Sequence, residues 1–252
     1  MATPHDQLLA VGVPAWLRRA RPLLGTLVEV GVADAPGAEA AMQAAFAAVQ
    51  RVQTALSAFD ASSDIGRFNA APCGASVELS PDGRVVLQAA RELHEHSEGC
   101  FDAACGTGGW VLQGDQLLKL DAATRLDLGG LAKGYAVDEA CAALREHGVT
   151  QGWVNAGGDL RSLGVALPVA LRDEQAGGVR PWLTVQDTAL ATSYFGADQP
   201  QRLHGLARSR HVSVQALQCM WADGLTKVVA RQGRADAALL RRYHARSWTH
   251  PE

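Results

Sequence analysis

The sequence predicts an α+β fold. Strand-like segments come in runs, and they are interleaved irregularly with helices, where a parallel βαβ series would alternate regularly. The helical segments carry apolar residues at intervals of three and four. With 252 residues the chain can bury a sizeable core, as one large domain or two small ones. No repeat, low-complexity tract or interdomain linker stands out. Residues 1–20 therefore read as a loose arm and residues 21–252 as a single domain.

Leu23 to Val32 reads as a strand, with Gly25 and Thr26 at its start. Residues 38–57 place Met42, Phe46, Val49, Val52 and Leu56 three or four apart, which makes an amphipathic helix. The polar loop from Ser57 to Asp64 that follows is either a ligand contact or an ordinary solvated turn. Ser80 and Pro81 mark the next helix, as N-cap and first-turn proline, and Gly99 closes it. His94 and His96 are two apart in that helix, so they face different sides and cannot chelate one metal; both are expected on the surface. A helix from about Tyr135 to His147 carries Val137, Ala140, Cys141 and Leu144 on one face, with Gly148 as its stop. Gly152 to Leu160 is a strand broken by the Gly157-Gly158 pair, with Asn155 and Asp159 around the break. Strand-like segments follow at 163–171, 182–186, 188–193 and 211–217, and helices at 221–231 and 235–245.

Composition excludes several classes of function. The chain is 48% hydrophobic and 19% charged, which is globular rather than disordered. Its formal net charge of −3 gives no electrostatic case for nucleic acid or an anionic membrane surface. Five cysteines, at 73, 100, 105, 141 and 219, form no CxxC pair, so buried or free thiols are expected rather than a zinc site or a disulfide framework. The first 20 residues lack the order of a signal peptide, and no apolar run approaches the ~20 residues of a membrane span. A cytoplasmic location is expected, or a periplasmic one if the N-terminus has been trimmed.

Chemistry concentrates in Asp127-Leu128-Gly129-Gly130-Leu131-Ala132-Lys133-Gly134-Tyr135-Ala136-Val137-Asp138. Three glycines in six residues suggest a backbone that must approach something, and a helix opening just after them offers N–H groups and a positive dipole end to an anion. Lys133 can add a full charge there. Asp127 can accept from a sugar or base, or approach a metal. The alternative is a plain strand–turn–helix junction with an exposed lysine. The stretch is neither a P-loop nor a dinucleotide GxGxxG, and the chain has no HExxH and no GxSxG elbow. Farther on, Asp223-Gly224-Leu225-Thr226 opens a C-terminal helix. Residues three apart share a helix face, so both oxygens can reach one hard cation; helix capping by Asp223 is the simpler reading.

In order along the chain, Leu24-Gly25-Thr26, Leu56 to Phe59, Ser63 to Asn69, Ser97 to Asp102, Asp127 to Asp138, Val154 to Arg161, Ala191 to Ser193, Val212 to Val214 and Ala222 to Thr226 resemble the FAD:protein FMN transferase family, also called ApbE-like. The resemblance runs from about residue 21 to 233. It implies an ApbE-like α+β fold with mixed or antiparallel sheets and packed helices. It also implies an enzyme that splits FAD, with Mg²⁺ on the pyrophosphate, and transfers FMN to a threonine of an acceptor flavoprotein with release of AMP. Carried over residue by residue, Asp127 and Lys133 contact FAD, Leu24 lies against it, and Gly130, Asp223 and Thr226 hold the cation. His204 is the first candidate for the base and His211 the second.

Three departures qualify the match. The family's His-x-x-Asp-Pro-x-x-Gly segment is reduced to Arg202 to His211, without the Asp-Pro pair or the glycine turn. The family's threonine usually follows the metal aspartate by four residues, whereas Thr226 follows by three and Lys227 takes the fourth place. The aromatic-glycine segment after Phe101-Asp102 is shortened to Gly108-Gly109-Trp110. Two alternatives follow: an FAD pyrophosphatase releasing FMN and AMP, and a non-catalytic FAD-binding protein.

Overall fold

The computed structural model describes residues 15–172, 178–195, 210–233 and 236–250. The described elements are, in order, β1 (Trp16–Leu23), β2 (Thr26–Ala33), α1 (Ala38–Leu56), α2 (Asp64–Ala70), β3 (Ser76–Glu78), α3 (Pro81–His96), β4 (Trp110–Gln113), β5 (Gln116–Lys119), α4 (Ala132–Glu146), β6 (Gly152–Ala156), β7 (Asp159–Leu163), β8 (Ala166–Arg172), β9 (Val179–Gln186), β10 (Ala189–Phe195), β11 (Arg210–Ala216), α5 (Cys219–Gln232), α6 (Ala237–Arg242) and β12 (Arg246–His250). This is the α+β arrangement that the sequence predicts.

Seven strands form the main sheet in the order β1-β2-β6-β7-β10-β11-β12, every ladder antiparallel. Alternation along the strands sends Val28, Val30, Val154, Ala191, Val212 and Val214 to one face, where they join the main core with α1, α4 and α5. The opposite face of β7, β10 and β12 is covered by the β8–β9 hairpin, through a smaller cluster of Leu160, Val185 and Leu190 with Trp182 and Trp248. β3, β5 and β4 make a separate three-stranded sheet.

Two expectations are corrected. Residues 16–20 belong to no loose arm: they form most of β1, paired along its length with β2. β1 is an edge strand rich in arginine, and Arg18 and Arg21 lie over the rings of Trp153 and Phe46 at 5.5 and 4.5 Å. Gly25 and Thr26 accordingly do not start the first strand. Leu24 and Gly25 form a two-residue turn, both at positive φ (57° and 70°). The expected surface placement holds for His94 but not for His96, which is half-buried with Nδ1 2.8 Å from the Tyr243 hydroxyl. The five cysteines are free thiols, and Cys141 and Cys219 are buried.

Candidate active site

Most of the residues singled out from sequence meet at one end of the main sheet. The Gly157-Gly158 break is the two-residue turn of the β6–β7 hairpin, both residues at positive φ (62° and 101°), as such turns require. Asn155 Oδ1 accepts the Gly158 N–H at 3.0 Å and fixes the turn. A Cβ on Gly157 would lie 2.4 Å from Thr26 Oγ1, so this turn sits against the Leu24-Gly25 turn. Asp159 follows directly and is paired in register with Ala191, on the face that meets α4 and α5.

Asp159 is fully buried, and its Oδ2 accepts from Lys133 Nζ at 2.6 Å. Its Oδ1 is also buried and has no hydrogen-bond partner among the described residues. Burial, then the neighbouring Asp223 carboxylate, pushes the Asp159 carboxyl up to about 6, against the pull of Lys133 and Lys227. For Lys133, burial is outweighed by the Asp223 and Asp159 carboxylates, which hold the ammonium above its ordinary pKa. At neutral pH the pair is ionised. Lys133 is thus a fixed cation at the start of α4 and no freely exposed lysine.

The N-terminus of α4 is partly consumed by the protein itself. Ala132 N–H donates to Leu128 O at 2.8 Å, and Gly134 N–H donates to Asp223 Oδ2 at 3.3 Å. Gly134 is where α4 and α5 touch: a Cβ there would stand 2.3 Å from Cys219 O and 2.8 Å from Met220 Cα. Asp138 then ties the crossing together. Its carboxylate accepts from the backbone N–H groups of Cys219 and Met220 at 2.9 Å each and pairs with Arg161. Burial raises its pKa, and Arg161 and the two N–H groups offset part of that. The stretch from Asp127 to Asp138 therefore carries both a buried ion pair and a helix junction.

Asp127 is exposed, with Oδ1 turned back to accept the Gly129 N–H at 2.7 Å. Leu24 donates its N–H to Gln53 Oε1 of α1 at 2.5 Å and packs its side chain against the core. Gly130 is covered by Phe101, whose ring would lie 3.1 Å from a Cβ at that position. The Gly130 carbonyl oxygen faces α5, 3.7 Å from where a Cβ on Gly224 would be. Gly130 thus lies against the first turns of α5, the helix that carries Asp223 and Thr226.

Their chemistry differs from the expectation. Thr226 Oγ1 donates back to Asp223 O at 2.7 Å and lies 3.1 Å from Ser193 Oγ, so its proton is directed to its own helix and to β10. The residue that reaches the Asp223 carboxylate is Lys227, one turn on. Its Nζ donates to Asp223 Oδ1 and lies 3.4 Å from Ser193 Oγ. Asp223 is fully buried and Lys227 9% exposed. Two carboxylates and two ammonium groups, Asp159, Asp223, Lys133 and Lys227, make one buried cluster whose formal charges cancel. A divalent cation at Asp223 would have to displace a lysine already seated there, so this donor set does not fit one. Among the described residues no group of three His, Cys, Asp and Glu side chains is placed to hold a metal.

His204 lies outside the described residues. His211 faces the wrong way for this cluster. The β10–β11 register pairs Ser193 with Val212 and Tyr194 with His211, so Ser193 points to α5 while His211 points to the far side of the sheet. Its ring lies 4.9 Å from His250, whose pKa is lowered to about 4 by burial, then by His211 and Arg180. Sequence reasoning gave no role to Ser193 and missed the capping role of Asp138. In the polar loop from Ser57 to Asp64, Ser63 caps α2, Asp60 Oδ1 accepts from Ser62, and Asp64 Oδ2 accepts the N–H and hydroxyl of Ser80 at 2.8 and 2.6 Å.

Comparison with known proteins bears on the family and the fold. The model of the ApbE family matches residues 24–113 and 109–246. The chain belongs to the ApbE family. A curated family relative, "FAD:protein FMN transferase" of Rhodobacter capsulatus, is 31% identical over 177 residues, 56% of this chain. The match spans about a third of that relative, 34% of its length. Among solved ApbE structures, the flavin transferase of Vibrio cholerae aligns with TM-score 0.79 at 20% identity, covering 94% of this chain and 93% of that one. The apo flavinyl transferase of Pseudomonas stutzeri aligns with TM-score 0.77 at 20% identity, covering 94% and 91%. The ApbE protein of Thermotoga maritima gives 0.78 at 18%, covering 93% and 94%. At these identities the likeness is one of fold.

Proposed function

We propose that this protein is an FAD:protein FMN transferase. In the reaction, the hydroxyl oxygen of an acceptor threonine bonds to the FMN phosphorus and the phosphoanhydride bond breaks. AMP leaves with the electron pair, and the hydroxyl proton passes to a base. One observation carries the reading: the buried Lys133–Asp159 pair joins the start of α4 to the residue that follows the Gly157-Gly158 turn. An ammonium is fixed in place there, and such preorganised charge stabilises developing negative charge on phosphate oxygens. Family membership and the named relative in Rhodobacter capsulatus support the same activity.

Leu24 and Asp127 are proposed to contact the flavin nucleotide, together with Lys133. The Leu24 turn packs on the Gly157 turn, and Asp127 opens the glycine-rich stretch. His204 is the proposed base. The Mg²⁺ implied by the family resemblance, at Gly130, Asp223 and Thr226, meets a donor set that Lys227 already occupies, so no step is routed through it here. Acceptor flavoprotein and FAD are the proposed partners; among the described residues no helix is long and apolar enough to cross a membrane.

The test is incubation with FAD and a candidate acceptor, followed by denaturing electrophoresis. Flavin fluorescence on the acceptor band is expected. Free FMN without labelled acceptor would point to hydrolysis, and unchanged FAD to binding alone; either overturns the transferase reading. His204→Ala should slow transfer by about 10²–10⁴-fold, the usual contribution of a positioned base.

A further inference from the structure

We propose that the Lys227 ammonium takes the place of the divalent cation in this protein, so that flavin nucleotide is held and processed without added metal. The proposal rests on the transferase reading for the word "processed" but not for its claim about the cation.

The geometry behind it begins with helix spacing. Residues i and i+4 lie one above the other on a helix face, and Asp223 and Lys227 have that spacing in α5. Thr226, at i+3, donates its hydroxyl proton to the Asp223 carbonyl, whereas Lys227 reaches the Asp223 carboxylate itself. The Lys227 side chain runs beneath the glycine-rich turn, its Cε 3.5 Å from where a Cβ on Gly130 would be. The Nζ is therefore delivered to the meeting point of Gly130, Asp223 and Ser193. Phe195 closes the side, with its ring centroid 5.9 Å from Nζ.

Charge points the same way. Asp223 Oδ1 is neutralised by Lys227, Asp223 Oδ2 accepts from Gly134 N–H, and Asp159 is neutralised by Lys133. Each carboxylate in the cluster has a lysine partner, and the one buried carboxylate oxygen without a hydrogen-bond partner among the described residues, Asp159 Oδ1, belongs to the carboxylate that Lys133 already pairs. A divalent ion inserted beside the Lys227 ammonium would face strong like-charge repulsion in a buried site. An ammonium also supplies what a phosphoanhydride needs at this point, positive charge and N–H donors for the oxygens of the pyrophosphate.

The experiment has one arm on the unaltered protein and one on variants. Mn²⁺ titration followed by electron paramagnetic resonance should show no stoichiometric site in the wild type, and FAD binding and turnover should persist in EDTA. One bound Mn²⁺ per chain that Asp223→Asn removes, or loss of turnover in EDTA, would overturn the proposal. Lys227→Ala in EDTA should lose about 10²-fold or more in turnover, the scale of one preorganised charge-stabilising donor, and regain part of it on adding Mn²⁺. Wild-type turnover of that variant in EDTA would also overturn the proposal. If FAD is neither cleaved nor transferred by the wild type under any condition, the transferase reading fails, and the Mn²⁺ titration still decides the cation question.

Discussion

The Asp138 carboxylate of α4 accepts the backbone N–H of Met220, the second residue of α5, at 2.9 Å. Its other oxygen takes the N–H of Cys219, and α5 has no side-chain cap of its own. One helix thus caps another 80 residues away in sequence.

Asp138→Ala should therefore cost more than an ordinary cap. Loss of a cap is worth about 1 kcal/mol, and the mostly buried Arg161 is left without its carboxylate, so about 3 kcal/mol in total is expected. Urea unfolding measures it. A loss below about 0.5 kcal/mol, the range of an ordinary surface change, would mean that α5 docks without this tie.

Gly134→Ala tests the helix crossing. The added Cβ meets backbone atoms of Cys219 and Met220, which have no rotamer with which to yield, so the helices must part. A destabilisation of about 3 kcal/mol is expected, at the upper end for overpacking. Flavin binding should weaken in parallel, because Asp223 leans on the Gly134 N–H. An unchanged denaturation midpoint would contradict the close approach.

Lys133→Met keeps the length and apolar stem of the side chain and removes its charge. Turnover of FAD should fall by about 10²–10³-fold, the scale expected for one preorganised donor in a dry site. Flavin fluorescence titration separates weaker FAD binding from slower chemistry. Retention of both would exclude Lys133 from the nucleotide site.

Asp159 makes stability depend on pH in a defined direction. Its folded carboxyl titrates at about 6, above the ordinary 3.8, so the folded state binds the proton more tightly than the unfolded one. That contribution is present in full below about pH 3.8 and is lost as pH rises through about 6. Asp159→Asn removes the titration. The stability of wild type minus variant should therefore decline between about pH 4 and pH 6.5, by an amount on the order of 2 kcal/mol, and then level off. A difference that stays flat, or grows with pH, would show that Lys133 holds the carboxylate below its ordinary value.

Much of this architecture was legible in the residues. The helices α1, α3 and α4 follow from apolar spacing, from Ser80-Pro81 and from the stop glycines, all local signals. β1 was hidden because an arginine-rich edge strand lacks apolar alternation, and the Leu24 turn because leucine at positive φ carries no turn signature. Within the site, Lys133, Gly130 and Asp223 were found as parts of motifs. The Lys133–Asp159 pair was not, since it depends on the packing of α4 against β7, which brings residues 26 apart together. Asp223 and Lys227 were readable as an i,i+4 ion pair from spacing alone. The expectation of a shared cation at Asp223 and Thr226 did not reckon with Lys227, whose ammonium reaches the Asp223 carboxylate from one turn on.

The α4–α5 junction also bears on how the protein is made. Lys133 and Asp159 leave the ribosome well before Asp223 and Lys227, and the junction closes only when residues 219–227 have been synthesised and packed. Until then the growing chain holds two of the four charges, and the buried cluster has neither its second carboxylate nor its second ammonium.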